Sequence, residues 1–143
     1  MKIKVIRING IELPKYETIG SAGMDVRANI KEPITLAPGA IKLIPAGLKV
    51  EIPLGYELQV RPRSGLALKH GLGMANSIGT IDSDYRGEIG VIAINLSDKP
   101  YTIQPEERIA QLVLNKVEQI EWVEVTELGT TERGAGGYGH TGK

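Results

Sequence analysis

An acid inside a strand-like run is out of place unless it has a task. Thr80-Ile81-Asp82 is such a run, and Asp82 is a candidate general base. It lies in the stretch Asn76 to Glu88, which carries three acids, a tyrosine and two glycines around an expected β-hairpin. Turn chemistry alone accounts for Ser83-Asp84 and Gly87. It accounts for neither Asn76 nor Asp82. A second grouping is Arg61-Pro62-Arg63-Ser64-Gly65. Free amides at a helix start, a hydroxyl and a guanidinium make an anion site. Alone, the same residues read better as an ordinary capped helix with surface arginines. A third acid, Asp25, lies between apolar residues in Ser21-Ala22-Gly23-Met24-Asp25-Val26. It is as well suited to a structural hydrogen bond as to a function. Near bound phosphates, its carboxylate would hold Mg²⁺ directly or through the ion's waters.

These groups need elements to position them. Short alternating runs occur at Lys2–Val5, Leu48–Ile52 and Tyr56–Arg61, with further strand candidates at 89–96, 109–117 and 122–125. Period two bounded by Gly or Pro is the strand signature. Turn signals recur about every ten residues, at Pro38-Gly39, Pro53-Leu54-Gly55, Ser97 to Pro100 and Pro105 to Glu107. Such spacing predicts an all-β sandwich, jelly roll or barrel. Ser64 to His70, before Gly71, predicts one short helix opened by Ser64 as cap.

Composition narrows the function classes. The 143 residues suffice for one domain with its own core. Lys plus Arg equal Asp plus Glu, so the formal net charge is zero. A general nucleic-acid binder needs a positive face, so nucleic acid is not an expected partner. A small phosphate ligand needs only local cations. There is no cysteine, and the two histidines, His70 and His140, do not suffice for a typical zinc site. No apolar run has the length of a membrane-spanning helix, and the first residues do not resemble a signal peptide. The expectation is a soluble, cytoplasmic protein with no membrane partner.

Two units are expected, a β body over 1–129 and a flexible glycine-rich lid over 130–143. The second has five glycines and no aliphatic side chain larger than alanine, too little to offset its ordering entropy alone. A floppy terminus fits that composition. Arg133 and Tyr138 among the glycines would instead suit closure over an anionic, aromatic ligand. Gly137 to Lys143 matches the spacing of a phosphate-binding P-loop. That loop must leave a strand and open a helix, so the match is attributed to chance.

Taken together, the segments resemble the trimeric deoxyuridine triphosphatases (dUTPases). Five ordered motifs carry the resemblance: Ala22–Asp25, Arg63–Ala67, Gly79–Glu88, Glu107–Leu112 and Arg133–Gly139. Tyr138 stands where the family usually has phenylalanine, which keeps a stacking ring. Ala135 and His140 stand where serine is common. The resemblance implies a jelly-roll or distorted β-barrel subunit, a threefold homotrimer with shared active sites, and Mg²⁺-assisted hydrolysis of dUTP to dUMP and pyrophosphate. Such an activity limits uracil incorporation into DNA and supplies dUMP for thymidylate synthesis. It implies that Asp82 activates water and that Asp25 touches a metal-bound water. Arg63, Ser64, Gly65 and Gln111 would hold phosphates. Asn76, Gly79, Thr80, Ile81 and Gly90 would read the uracil, and Tyr85 would pack under the deoxyribose. Arg133, Tyr138 and Gly139 would close the site. Deoxycytidine triphosphate deaminases share the fold class but use a glutamate-centred site. A silent nucleotide-binding β-trimer would have no need of Asp82, Arg63 and Tyr85 together.

Overall fold

The computed structural model describes residues 1–137. In chain order the strands are β1 (Lys4–Arg7), β2 (Gly23–Arg27), β3 (Ile34–Leu36), β4 (Ile41–Pro45), β5 (Leu48–Glu51) and β6 (Tyr56–Pro62). The helix α1 (Ser64–His70) follows, then β7 (Leu72–Met74), β8 (Gly79–Ile81), β9 (Gly90–Asn95), β10 (Tyr101–Ile103) and β11 (Arg108–Lys116). Antiparallel pairing makes a four-stranded sheet, β2-β11-β6-β8, and a three-stranded sheet, β4-β9-β7. Two ribbons, β1-β5 and β3-β10, complete the body. Sequential neighbours such as β5 and β6 fall in different sheets, as an all-β jelly roll requires.

Alternation places the core. Leu58 and Val60 of β6, Leu112 of β11 and Val26 of β2 are buried on one face of the larger sheet, while Val91 and Ala93 of β9 and Ile44 of β4 are buried on the smaller. Ile103 and Ile89 are fully enclosed between them. The buried polar side chain Asn95 is satisfied on both ends. Its amide donates to the Leu36 and Lys99 carbonyls at 2.9 and 2.7 Å, and its oxygen accepts from the Ser97 amide and hydroxyl at 3.0 and 2.8 Å. Both ends being paired removes the desolvation penalty that an orphaned amide would carry. The residue thereby ties the end of β9 to β3 and to the turn after it.

Four expectations need correction. Residues 122–125 form no strand: Trp122 and Val123 are 87% and 79% exposed. Their alternation pairs with no strand among the described residues, and a strand without a partner leaves its amides to water. The expected hairpin over 76–88 is not one. β8 pairs with β6, β9 lies in the other sheet, and 82–88 is an irregular loop between the two layers. Ser64 does not cap the helix but is its first residue. Arg63 holds the cap position with extended backbone and makes no side-chain cap bond, while Gly71 closes the helix in the left-handed region at φ 65°. The first strand is also displaced, to Lys4–Arg7. There it pairs with β5, and Lys4 bridges to Glu51 at 2.9 Å.

Candidate active site

The larger sheet has one apolar and one polar face, and the polar face carries most of the sequence-derived candidates. Asp25 of β2 lies directly across from Gln111 of β11, which lies across from Arg61 of β6. Directly opposed residues share a face, so Asp25, Gln111 and Arg61 form one row. Arg63 follows two residues after Arg61 and reaches into the same cluster. Its Nη2 pairs with Asp25 Oδ2 at 3.0 Å, and its Nη1 donates to the Arg108 carbonyl at 2.7 Å. Arg108 Nη1 approaches the same Oδ2 at 3.4 Å. One carboxylate thus orients two guanidiniums. Gln111 donates to the Pro62 carbonyl at 3.0 Å, and a Cβ at Gly23 would collide with its amide oxygen. Glycine there gives the Gln111 amide room, and a side chain would displace the end of Gln111.

Ser64 and Gly65 open α1 beside these cations, and the first turn of α1 carries no acid. Its leading amides have no partner within the helix. At the other end, the His70 ring stacks obliquely on Tyr101 with centroids 5.2 Å apart. The Tyr101 hydroxyl donates to Glu107. Burial, and secondarily that bond, push the hydroxyl well above the usual phenol range, so it remains a donor. Glu107 also accepts from the Gln104 amide at 2.8 Å. This braces the turn from which Arg108 emerges. Arg108 carried no role in the sequence reading. Only the fold places its guanidinium against Asp25.

The remaining candidates gather around β8. Asn76 occupies the turn from β7, where Ser77 adopts φ 59°. Gly79, Thr80 and Ile81 form β8, which pairs with β6 on one side and is the outer strand of its sheet. Its other edge therefore presents main-chain donors and acceptors. Asp82 follows at the end of β8 and is exposed. Tyr85 stands in the loop beyond, and Gly90 opens β9, paired with Pro45. A groove of about 740 Å³ runs beside Asp82, lined also by Tyr56, Glu57, Thr80 and Asp84. Among the described residues its lining includes three carboxylates and no Lys or Arg.

The two groups do not meet within one chain. Register puts Ile81 opposite Leu58, so Asp82 comes level with Glu57 near the start of β6, whereas Arg63 follows its end. Six residues of strand separate those levels, about 20 Å at the usual rise per residue. Arg133 lies in the exposed segment after β11 and donates to the Gly136 carbonyl at 2.8 Å. Tyr138 and Gly139 lie outside the described residues.

A family model described as dUTPase matches residues 9–142. The chain belongs to the dUTPase family. It is 68% identical over 143 residues to the deoxyuridine 5'-triphosphate nucleotidohydrolase of Fusobacterium nucleatum, covering 100% of this chain and 98% of that one. It is 63% identical over 135 residues to the protein of that name from Chlamydia pneumoniae, covering 94% and 93%. A mutant of the Staphylococcus bacteriophage 80alpha dUTPase, solved with dUpNHpp, aligns at a TM-score of 0.89 and 26% identity over 99% of each chain. A mutant dUTPase of phage phi11 of S. aureus, described with a structural Mg(II) ion, shares the fold at a TM-score of 0.82 and 22% identity, covering 91% of this chain and 100% of that one. These likenesses agree with the jelly-roll body and with the family that the sequence motifs resemble.

Among the described residues, no three His, Cys, Asp or Glu side chains converge as a metal cage. Asp25, already paired with two arginines, is not free to anchor an ion with other carboxylates. The donor set fits a magnesium ion that arrives on a triphosphate and keeps its waters. It does not fit an ion held by the chain alone. No helix among the described residues is long and apolar enough to cross a membrane.

Proposed function

We propose that this chain hydrolyses dUTP to dUMP and pyrophosphate in the cytoplasm, at active sites that close only between copies in a threefold homotrimer. The separation along β6 carries the shared-site reading. Among the described residues the carboxylate groove at Asp82 has no cation in its lining, and the Asp25-Arg63-Arg108 cluster lies about 20 Å away by strand rise. A polyanionic triphosphate needs both. A second copy that brings its Arg63 end to this copy's Asp82 end supplies both without distorting either. Cyclic closure is the ordinary way to repeat such a contact without leaving a free end.

The roles are those the resemblance to the dUTPases implies, and the placement of the described residues supports them. The edge of β8 and the Asn76 amide offer donors and acceptors to the uracil rim. Gly90, at the start of β9, would read the uracil from the facing strand. A pocket tight at C5 would reject thymine's methyl group. Tyr85 packs under the deoxyribose, where a 2′-hydroxyl would clash. Arg63, Ser64, Gly65 and Gln111 hold phosphate oxygens. Asp82 takes a proton from water as its oxygen bonds to the α-phosphorus, and the bond from that phosphorus to the bridging oxygen breaks, releasing pyrophosphate. Positioning and charge neutralisation supply most of the acceleration in such transfers. Asp25 would contact magnesium through a bound water, and the ion would contribute charge neutralisation on the triphosphate. Arg133, Tyr138 and Gly139 would close over the nucleotide. The zero net charge supports a small substrate rather than nucleic acid as the partner.

The test is to incubate the protein with dUTP and separately with dCTP, each with Mg²⁺, and to score pyrophosphate and ammonia. Pyrophosphate from dUTP without ammonia from dCTP is expected. Ammonia from dCTP would move the assignment to a deaminase. No product from either would leave a silent binding trimer.

A further inference from the structure

The loop 82–88 carries both Asp82 and Tyr85, yet it lies between two sheets and belongs to neither. It is nevertheless heavily tied. The Tyr85 amide donates to the Asp82 carbonyl at 3.2 Å. Arg86 Nη1 donates to the Ser83 and Tyr85 carbonyls at 2.7 and 2.9 Å. The Tyr85 hydroxyl donates to the Glu88 carbonyl at 3.0 Å. The ring lies over Gly87, where a Cβ would collide with its hydroxyl end. The pose of Tyr85 is thus set by what lies after it in the chain.

The loop's outer anchor is the turn joining β4 to β5. Ala46 N–H donates to the Ile89 carbonyl at 2.9 Å and Ile89 N–H donates to the Leu48 carbonyl at 2.8 Å. The amide between them, on Gly47 at φ 72°, is met by a side chain, Glu88 Oε1 at 2.9 Å. The middle of three cross-links is therefore a carboxylate. Without it a partly buried N–H would have no acceptor there, which is a costly state. The 88–89 peptide faces both ways: its N–H is held by Leu48 and its carbonyl receives the Tyr85 hydroxyl. Whatever keeps the turn in register with Glu88 also fixes the acceptor of Tyr85.

We infer that Glu88 is a positioning residue for sugar selection, latching the Gly47 turn so that its own carbonyl holds the Tyr85 ring in place. The inference rests on the reading of Tyr85 as the deoxyribose gate. What the latch needs is an acceptor oxygen and not a negative charge, so an amide of equal length serves.

The experiment measures kcat/KM for dUTP and for UTP, with melting temperature, in Tyr85→Ala, Tyr85→Phe, Glu88→Ala and Glu88→Gln. Tyr85→Ala should collapse the dUTP preference. Glu88→Ala should lower the preference about three- to tenfold, the fold-change of one neutral hydrogen bond. Glu88→Gln should keep it within about twofold, since its amide oxygen still accepts from Gly47. Tyr85→Phe keeps the ring but loses the bond to the Glu88 carbonyl, and should match Glu88→Ala. It also tests the latch if Glu88→Ala folds poorly. An unchanged preference in Tyr85→Ala would remove the gate and this inference with it. A lost preference in Tyr85→Ala, with no change in Glu88→Ala and Tyr85→Phe, would overturn the latch alone. So would Glu88→Gln behaving like Glu88→Ala.

Discussion

Asp82→Asn is expected to lower kcat by about three orders of magnitude, within the range assigned to a positioned general base. It should leave melting temperature and affinity for a non-hydrolysable dUTP analogue nearly unchanged. The separation of those effects comes from where the side chain is. Asp82 is exposed at the end of β8. Among the described interactions its carboxylate makes no hydrogen bond or ion pair, and only its main-chain carbonyl is used, by the Tyr85 amide. Substituting an exposed side chain that holds nothing usually shifts stability by no more than about 0.5 kcal/mol. Asparagine fills the same volume but cannot take the proton from water. A fall in turnover therefore cannot be charged to the fold. Near-normal kcat in the folded variant would remove Asp82 from the chemistry and leave the carboxylate groove without a role.

How far the sequence announces this arrangement depends on the length scale. Tyr56 to Arg61 reads as a strand because its alternation is long enough to see, and β6 follows it closely. The same holds for β5, β9 and β11. Ile34–Leu36, Leu72–Met74 and Tyr101–Ile103 are three residues each, too short to show a period, and only their partners make them strands. Trp122 to Val125 shows the converse, an alternating pattern that pairs with no strand among the described residues. The helix is legible from Ser64 to Gly71, yet its cap is Arg63, because the extended backbone after Pro62 lets the chain enter the helix one residue earlier.

The candidate site is legible by residue and illegible by distance. Asp25, Arg63 and Gln111 are far apart in sequence and become neighbours only through the β2-β11-β6 pairing. Arg108 falls within the fourth motif yet carries no role of its own there, because an arginine after a turn has no signature until Asp25 is placed opposite it. That Asp82 and Arg63 lie toward opposite ends of β6 follows from register, which no local pattern reveals. That separation turns a list of motifs within one chain into an argument for several chains.

Truncation before Arg133 is the other change with a large expected effect, a loss of about a hundredfold or more in kcat/KM with the folded body intact. The body should survive because the segment from Glu118 to Gly137 buries nothing large: Trp122, Val123 and Leu128 are 87%, 79% and 87% exposed. Among the described residues Arg133 bonds only within its own turn, to the Gly136 carbonyl and from the Gly136 amide, so removing it takes no support from any strand. Activity should fall because the lid would contribute a cation to the phosphates, through Arg133, and a ring to the uracil, through Tyr138. Without them water enters the site as well. Closing a glycine-rich segment costs conformational entropy, and only ligand contacts can offset it. Closure should therefore depend on the triphosphate rather than on the base alone. In Tyr138→Trp, fluorescence should change when dUpNHpp binds with Mg²⁺ and change less with dUMP. The exposed Trp122 contributes a background that Trp122→Tyr removes. Full activity in the truncated protein would show the segment to be a tail without a catalytic part. A tryptophan signal indifferent to dUpNHpp would place Tyr138 away from the base.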